Sequence, residues 1–437
     1  MSVRKNLMFI LLLTMCGAPQ LHWAQDALTR EQAVAMALEQ NLGIRMAKLE
    51  VNRAEIDDSW GAAGALPQIG LNVSGAGAVS DQSENPTSFI QERLESQSLN
   101  VGTQLNWVLF DGFGMFANKR ALETLVEQAG GQVDVMIEQT LAGVLQLYDV
   151  AKIQEQLVKM WEEEVANGKD RVEWLERRRE YGAAAAFDRI QLENAVIADE
   201  LTLAQQRVAL NATMRSLNRL IGADLSTTWK LTTELDEPEA RDFQALEEAL
   251  LQNNTAMDNA RLGQELARIG MDQAKSRQLP SLQLSASQGN QRSQFAAGEF
   301  EGEGRIANVS ANLILNFNLF NGGSTRRAIE QAKLQMLVAE QRVENEAEEV
   351  KRIFGDARDR WEVAASSFAL SKRLRQNTEK AMEIAESTFQ SGAMNSLDFR
   401  DVQLQLMQAK QAESQALQEW LAAEVELARL SGQWTNQ

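Results

Sequence analysis

The 437-residue chain holds one cysteine, one histidine, two tyrosines and five prolines. Cys16 and His22 both fall in residues 1–24, which read as an export signal. Arg4 and Lys5 form its positive start, residues 7–15 its apolar run, and Ala24 its cleavage point. That run is too short to span a bilayer as a helix. Cys16 follows Leu13-Thr-Met, a faint likeness to an acylation site, but Met15 stands where a small residue belongs, so simple cleavage is expected. The mature chain then has neither cysteine nor histidine, which excludes thiol nucleophiles, His-based acid–base pairs, disulfides and most zinc sites. No metal, no cofactor and no enzymatic chemistry is expected, because the Asp/Glu pairs on the helices have no nucleophile context beside them. Excess positive charge is also lacking. The formal charge is −18, so the electrostatic footprint of a nucleic-acid binder is missing.

What the chain does have is repetition. In residues 191–222, Val196, Leu203, Leu210 and Leu217 recur every seventh position. In residues 403–432, Ala409, Ala416, Ala423 and Leu430 do the same, with Trp420 and Leu427 beside them. The stretches close on like phrases, Leu217-Asn-Arg-Leu-Ile-Gly222 and Leu427-Ala-Arg-Leu-Ser-Gly432, which lie 210 positions apart. Gly182 precedes Asp188 as Gly392 precedes Asp398, at the same offset. The expected organisation is a first structural repeat over residues 25–222, a linker over 223–242 and a second repeat over 243–437. A short strand is expected near Trp229 in the linker.

Each repeat opens with a helix that ends at Leu66-Pro67 or Leu279-Pro280. Thr29 and Gln32 suit a capping box at the first start. Beyond the prolines the period changes to two. Ile69, Leu71 and Val73 alternate with Gln68, Asn72 and Ser74, and Leu99, Val101 and Leu105 alternate with Asn100, Gln104 and Asn106. The second repeat does likewise with Leu282, Leu284, Val309, Leu313, Leu315, Phe317 and Leu319, separated by a loop holding Gly and Glu. Such strands approach the roughly 9–11 residues a transmembrane β-strand needs, with a greasy face outward and a wet face inward. Four strands cannot close a barrel, and open edges are not tolerated in lipid, so copies of the chain must complete one. Long uninterrupted helices follow, over residues 117–181 and 324–389, each expected to pair with the helix after it.

These features together resemble the TolC-type outer-membrane efflux protein family (outer membrane factors). The likeness rests on the signal, the doubling, Leu109-Phe-Asp-Gly112 and Leu319-Phe-Asn-Gly322 after the strands, the glycine tips and the closing phrases. It implies a mainly α fold with transmembrane β. Three copies would build one 12-stranded β-barrel, continued by an α-helical tunnel of coiled-coil helices through the periplasm. It also implies an exit duct for efflux or type I secretion, in which a homotrimer in outer-membrane lipid meets a periplasmic adaptor protein and an inner-membrane pump. By the family's pattern Asp398 and Asp401 ring the periplasmic aperture, and Gly182, Ala183, Gly392 and Ala393 at the hairpin tips contact the adaptor. Trp107, Phe110, Phe317 and Phe320 fit an aromatic girdle at the membrane interface. Asp398 has a second reading, as a first-turn acid favoured by the helix dipole behind Asn395. The sequence departs from the family's locking pattern, with Phe389 where a Tyr is usual and Met394 where an Arg is usual. A rival reading, an exported structural coiled-coil protein without channel activity, predicts a product extracted without detergent and silent in planar bilayers.

Overall fold

The structure is a computed structural model that describes residues 27–180, 186–432 and 434. The expected export signal and the tip residues Gly182 and Ala183 lie outside the described residues. A short parallel pair, β1 (Ala27–Leu28) with β4 (Lys230–Leu231), ties the start of the chain to the segment between its halves. No helix among the described residues is long and apolar enough to cross a membrane.

The first opening helix is two helices rather than one, α1 (Arg30–Gln40) and α2 (Leu42–Asp57), and the same break separates α5 (Phe243–Asn253) from α6 (Thr255–Ser276). The Thr29–Gln32 capping box is present. The breaks fall at Asn41 and Asn254, whose side-chain oxygens cap the helices that follow. Their amide nitrogens donate to the carbonyls of Leu220 (2.9 Å) and Leu430 (3.1 Å), the last turns of the closing helices. Gly222 and Gly432 complete the joint. Both have positive φ (75° and 67°), and a Cβ there would meet Gln40 or Asn253 at 2.7 and 2.3 Å. Only glycine fits, which is why each closing phrase ends in one.

β2 (Gln68–Asp81), β3 (Arg93–Phe110), β5 (Ser281–Ala297) and β6 (Phe300–Asn316) form one antiparallel sheet in the order β2-β3-β5-β6. The second hairpin departs from expectation twice. Residues 288–307 are not a loop but the ends of two strands, joined by the two-residue turn Gly298-Glu299. Gly298 has φ 59°, and a glycine first in a two-residue turn matches the twist of a hairpin. At the other end β6 stops at Asn316, so Phe317 and Leu319 lie beyond it. Asn316 pairs with Ser281, and the next residue of β5's chain is Pro280, which has no N–H to extend the ladder. In the first hairpin residues 82–92 form a true loop, pinned by Ser83 and Thr87 donating to Asp81 and Asn85.

The helices α3 (Gly114–Glu180) and α7 (Ser324–Gln390) each have 67 residues, about 100 Å at 1.5 Å per residue. Each packs near the sheet against the opening helices, and farther out against its successor, α4 (Ala186–Ile221) or α8 (Ser396–Leu430). The main cores sit where the three helical layers meet. Tyr148, Leu217 and Ile221 anchor one, and Phe354, Trp361, Phe368 and Trp420 the other.

Candidate functional site

Two regions could carry function: the sheet and the far ends of the helical hairpins. The register assigns every strand residue to a face. Ile69, Leu105, Ala286 and Ala311 lie in one row, and Val73, Val101, Asn290 and Ala307 in another. On this face Ile69, Leu71, Val73, Leu313 and Leu315 are 60–75% exposed, so the chain alone leaves an apolar surface open. The opposite face carries Gln68, Asn72, Ser74, Asn100, Gln104, Asn106, Ser285, Ser287, Gln291, Asn308, Ser310 and Asn312. It has no ionisable residue. All seven charges of the four strands (Asp81, Arg93, Glu95, Arg292, Glu301, Glu303 and Arg305) share the parity of the apolar face. One side is therefore fit for hydrocarbon along most of its length and the other for water without fixed charge.

Where the sheet meets the helices, Trp107 donates its indole N–H to the Ala65 carbonyl at 2.9 Å. Phe110 and Phe113 stack edge to face at 5.1 Å, and Phe116 continues the cluster to Trp60 at 5.7 Å. The structure thus adds Trp60, which the sequence pattern did not single out. Phe317 and Phe320 are 55% and 88% exposed and form no ring pair with a described residue. Gly112 has φ 71°, and a Cβ there would strike the Ser276 carbonyl at 2.3 Å, so the turn fits closely against α6. The corresponding Gly322 has φ 65°, and a Cβ there would meet no described atom within 4 Å.

At the far end, Gly392 (φ 82°) and Ala393 are exposed between α7 and α8. Asn395 caps α8 by accepting from the backbone of Leu397 and Asp398. Asp398, in the first turn of α8, also takes a 2.8 Å bond from the Asn395 amide. Asp401 is exposed, and its side chain forms no hydrogen bond or ion pair with a described residue. Between these two acids, Arg400 turns inward and grips Asp199 of α4 through two bonds of 2.6 and 2.9 Å. Asp199 is nearly enclosed (4% exposed), so this is a desolvated, bidentate pair. Ser396 donates to Asp188 at 2.9 Å, and Gln403 bonds Glu164, which also pairs with Arg171 at 2.6 Å. Phe389 stacks on Phe399 at 4.6 Å and lies against Trp174 of α3 at 5.7 Å, with the Arg171 guanidinium over the Phe399 ring. Phe389 and Met394 thus join an apolar cluster with Phe399 and Val402. Arg400, Asp199, Ser396 and Trp174 escaped the sequence reading. The positional offset alone gives no pairing between residues some 200 apart.

A four-stranded sheet with one apolar and one uncharged polar face, mounted on helices of about 100 Å, defines a membrane-embedded channel component. Residues 33–223 and again 246–433 match the outer membrane efflux protein family, and the chain belongs to it. It is 22% identical over 412 residues to the probable efflux pump outer membrane protein TtgC of Pseudomonas putida, covering 93% of this chain and 84% of the relative. To the outer membrane protein TolC of Vibrio cholerae it is 24% identical over 383 residues, covering 85% and 83%. Its fold is that of the Campylobacter jejuni CmeC outer membrane channel, with a TM-score of 0.73, 15% identity and coverage of 92% and 85%. A membrane protein from Pseudomonas aeruginosa matches with a TM-score of 0.74, 18% identity and 94% coverage of both chains. The chain is an efflux channel of the outer membrane.

Proposed function

We propose that the chain works as a homotrimeric exit duct. In this reading β6 of each copy pairs with β2 of the next, and the two halves, residues 25–222 and 243–437, act as structural repeats about the joint 223–242. The register supports this. Shifting the pair Gln68↔Asn106 by 213 and 210 positions gives Ser281↔Asn316, which is the pair observed in the second hairpin. The same shift applied to Asn106↔Ser285, between β3 and β5, gives Asn316 opposite Asn72 of the partner subunit. Outward, Leu315 then meets Val73 of the partner subunit, and apolar residues stay with apolar residues along the seam. The strands β2 and β6 are open edges of 14 and 17 residues, a form not tolerated in lipid unless paired. The helices carry matching stripes: Ile190, Ile197, Leu201 and Val208 on α4, and Val363, Leu370, Leu374 and Ile384 on α7, are all at least half exposed.

Around the resulting axis the uncharged strand face lines the pore. Asp398 and Asp401 ring its periplasmic aperture, where acidic rings attract cations. The tips at Gly182, Ala183, Gly392 and Ala393 contact a periplasmic adaptor that couples the duct to an inner-membrane pump. Trp107, Phe110, Phe317 and Phe320 sit at the periplasmic edge of the outer membrane, where lipid meets water.

The test is a cysteine pair in the cysteine-free mature chain, Leu315→Cys with Val73→Cys. Oxidation in native membranes should give covalent oligomers up to three copies. A control pair two residues out of register, Leu315→Cys with Leu71→Cys, should cross-link far less. Equal cross-linking of both pairs, or none of the first, would remove the proposed seam.

A further inference from the structure

The charged rows of the sheet hold an arrangement that duct function does not use. Arg292 of β5 lies directly opposite Arg305 of β6, on the same face as Leu284, Ala286, Leu313 and Val309. Like charges in directly opposed positions destabilise a sheet unless something negative sits between them. Neither arginine forms an ion pair or side-chain hydrogen bond with a described residue. The nearest acid on that face, Glu303, accepts a 2.6 Å bond from Gln294. Glu301 and Glu95 lie a row beyond it, and Glu95 is held by Arg93 at 3.1 Å. The two guanidiniums thus stand exposed and unneutralised.

Their height is informative. Arg292 is ten residues along β5 from Leu282, which pairs with Phe110 in the aromatic cluster at the helix end of the sheet. At ~3.3 Å per residue and a strand tilt of ~40°, that is a rise of ~25 Å, the height of the outward apolar band of an outer-membrane barrel. The arginines therefore stand where hydrocarbon gives way to head groups on the outer side. Across Leu99 and Gln97 of β3 from them, Gly75 and Gly77 lack side chains, and a hollow of about 690 Å³ is lined by these residues with Arg292, Arg305, Gln294 and Glu303. Planar guanidiniums bind phosphate oxygens in a bidentate fork, and the hollow has room for the sugar that carries the phosphate.

We propose that Arg292 and Arg305 form a binding site for the phosphate-bearing head group of an outer-leaflet glycolipid. The proposal rests on the apolar face meeting lipid in the closed barrel, as above. The glycines provide the cavity, Leu99 continues the apolar band up to its floor, and the arginine pair provides the charge. Arg93, already engaged by Glu95, takes no part.

The purified full-length mature oligomer would be reconstituted into phosphatidylcholine nanodiscs containing lipid A, a bisphosphorylated glucosamine lipid, or its dephosphorylated form. Retained lipid would be counted by native mass spectrometry. The native protein should retain the phosphorylated form about ten- to a hundredfold better, the scale of one to two charge-assisted hydrogen bonds. Arg292→Gln with Arg305→Gln should erase that preference while the oligomer and its sheet persist. Arg93→Gln should leave the preference intact. Preference surviving in the double variant would overturn the proposal. So would full competition by millimolar inorganic phosphate, which would mark a site for free anions. A protein that fails to insert into the bilayer at all would instead remove the barrel reading on which the site depends.

Discussion

Within one chain the two halves meet along a filled seam, while the equivalent surfaces on the outer flanks are bare. β3 is hydrogen-bonded to β5, but β2 and β6 have no outer partner among the described residues. Gly112 abuts Ser276, whereas Gly322 faces empty space. Asp199 holds Arg400, and the positions 210 away from them are Ala409 and Ile190. Trp174 packs on Phe389, and its counterpart Ile384 is 68% exposed. Each half is thus shaped to receive the other, and the same complementarity offers itself to further copies. The sequences have nonetheless diverged. The inner seam near the tips is ionic and aromatic, and the outer one, as proposed, is aliphatic.

The sharpest way to break this contrast is Asp199→Ala. It leaves the half-buried Arg400 guanidinium with only Gln403 and should cost about 3 kcal/mol in a denaturation experiment. Ala409→Ser, at the equivalent position of the other half, should cost about 1 kcal/mol or less. If both were equally mild, the ionic seam would not be what joins the hairpins.

A second contrast sharpens the comparison through pH. Asp149, beside Arg30 in the first half, is pushed up to about 6 because burial outweighs the attraction of the guanidinium. Its counterpart Asp359 is exposed, and Arg30 is replaced there by Phe243, which packs on Trp361. A carboxyl whose folded pKa lies above its unfolded value near 3.8 favours folding while protonated, and that contribution is lost as pH rises through about 6. The loss from pH 3.5 to 7 is on the order of 3 kcal/mol. Asp149→Asn should flatten that slope in thermal melts, and Asp359→Asn should leave it unchanged.

The smallest effect on stability is expected at the tip. Removing Asp398 and Asp401 together should change stability by only a few tenths of a kcal/mol, since both are exposed. In planar bilayers, however, it should weaken the block of single-channel current by multivalent cations. The same substitution at Asp188, which Ser396 already engages, should not. Unchanged block in the double variant would take the two acids out of the aperture.

How much of this was legible in the residues depended on whether the controlling interaction was local. The strands could be read because Ile69, Leu71 and Val73 alternate with Gln68, Asn72 and Ser74, and a pleated strand needs nothing else. The cap at Asn395 could be read because its acceptor lies two and three residues from its donors. The breaks at Asn41 and Asn254 were hidden, since the helical pattern runs through them and the bonds that fix them reach Leu220 and Leu430. The tight turn at Gly298 was hidden for a different reason. Arg292, Glu301, Glu303 and Arg305 occupy the outward positions around it, so alternation of apolar and polar residues vanishes where the strands leave the hydrocarbon.

In the proposed barrel the unequal hairpin ends would also decide what the cell shows its surroundings. From each chain one stretch, residues 82–92, projects past the sheet, while Gly298-Glu299 folds back flush with its rim. An antibody or a phage tail would therefore find its foothold in that single stretch. Peptides displayed by genetic grafting belong there, because lengthening the flush turn would disturb the pairing of two 17-residue strands.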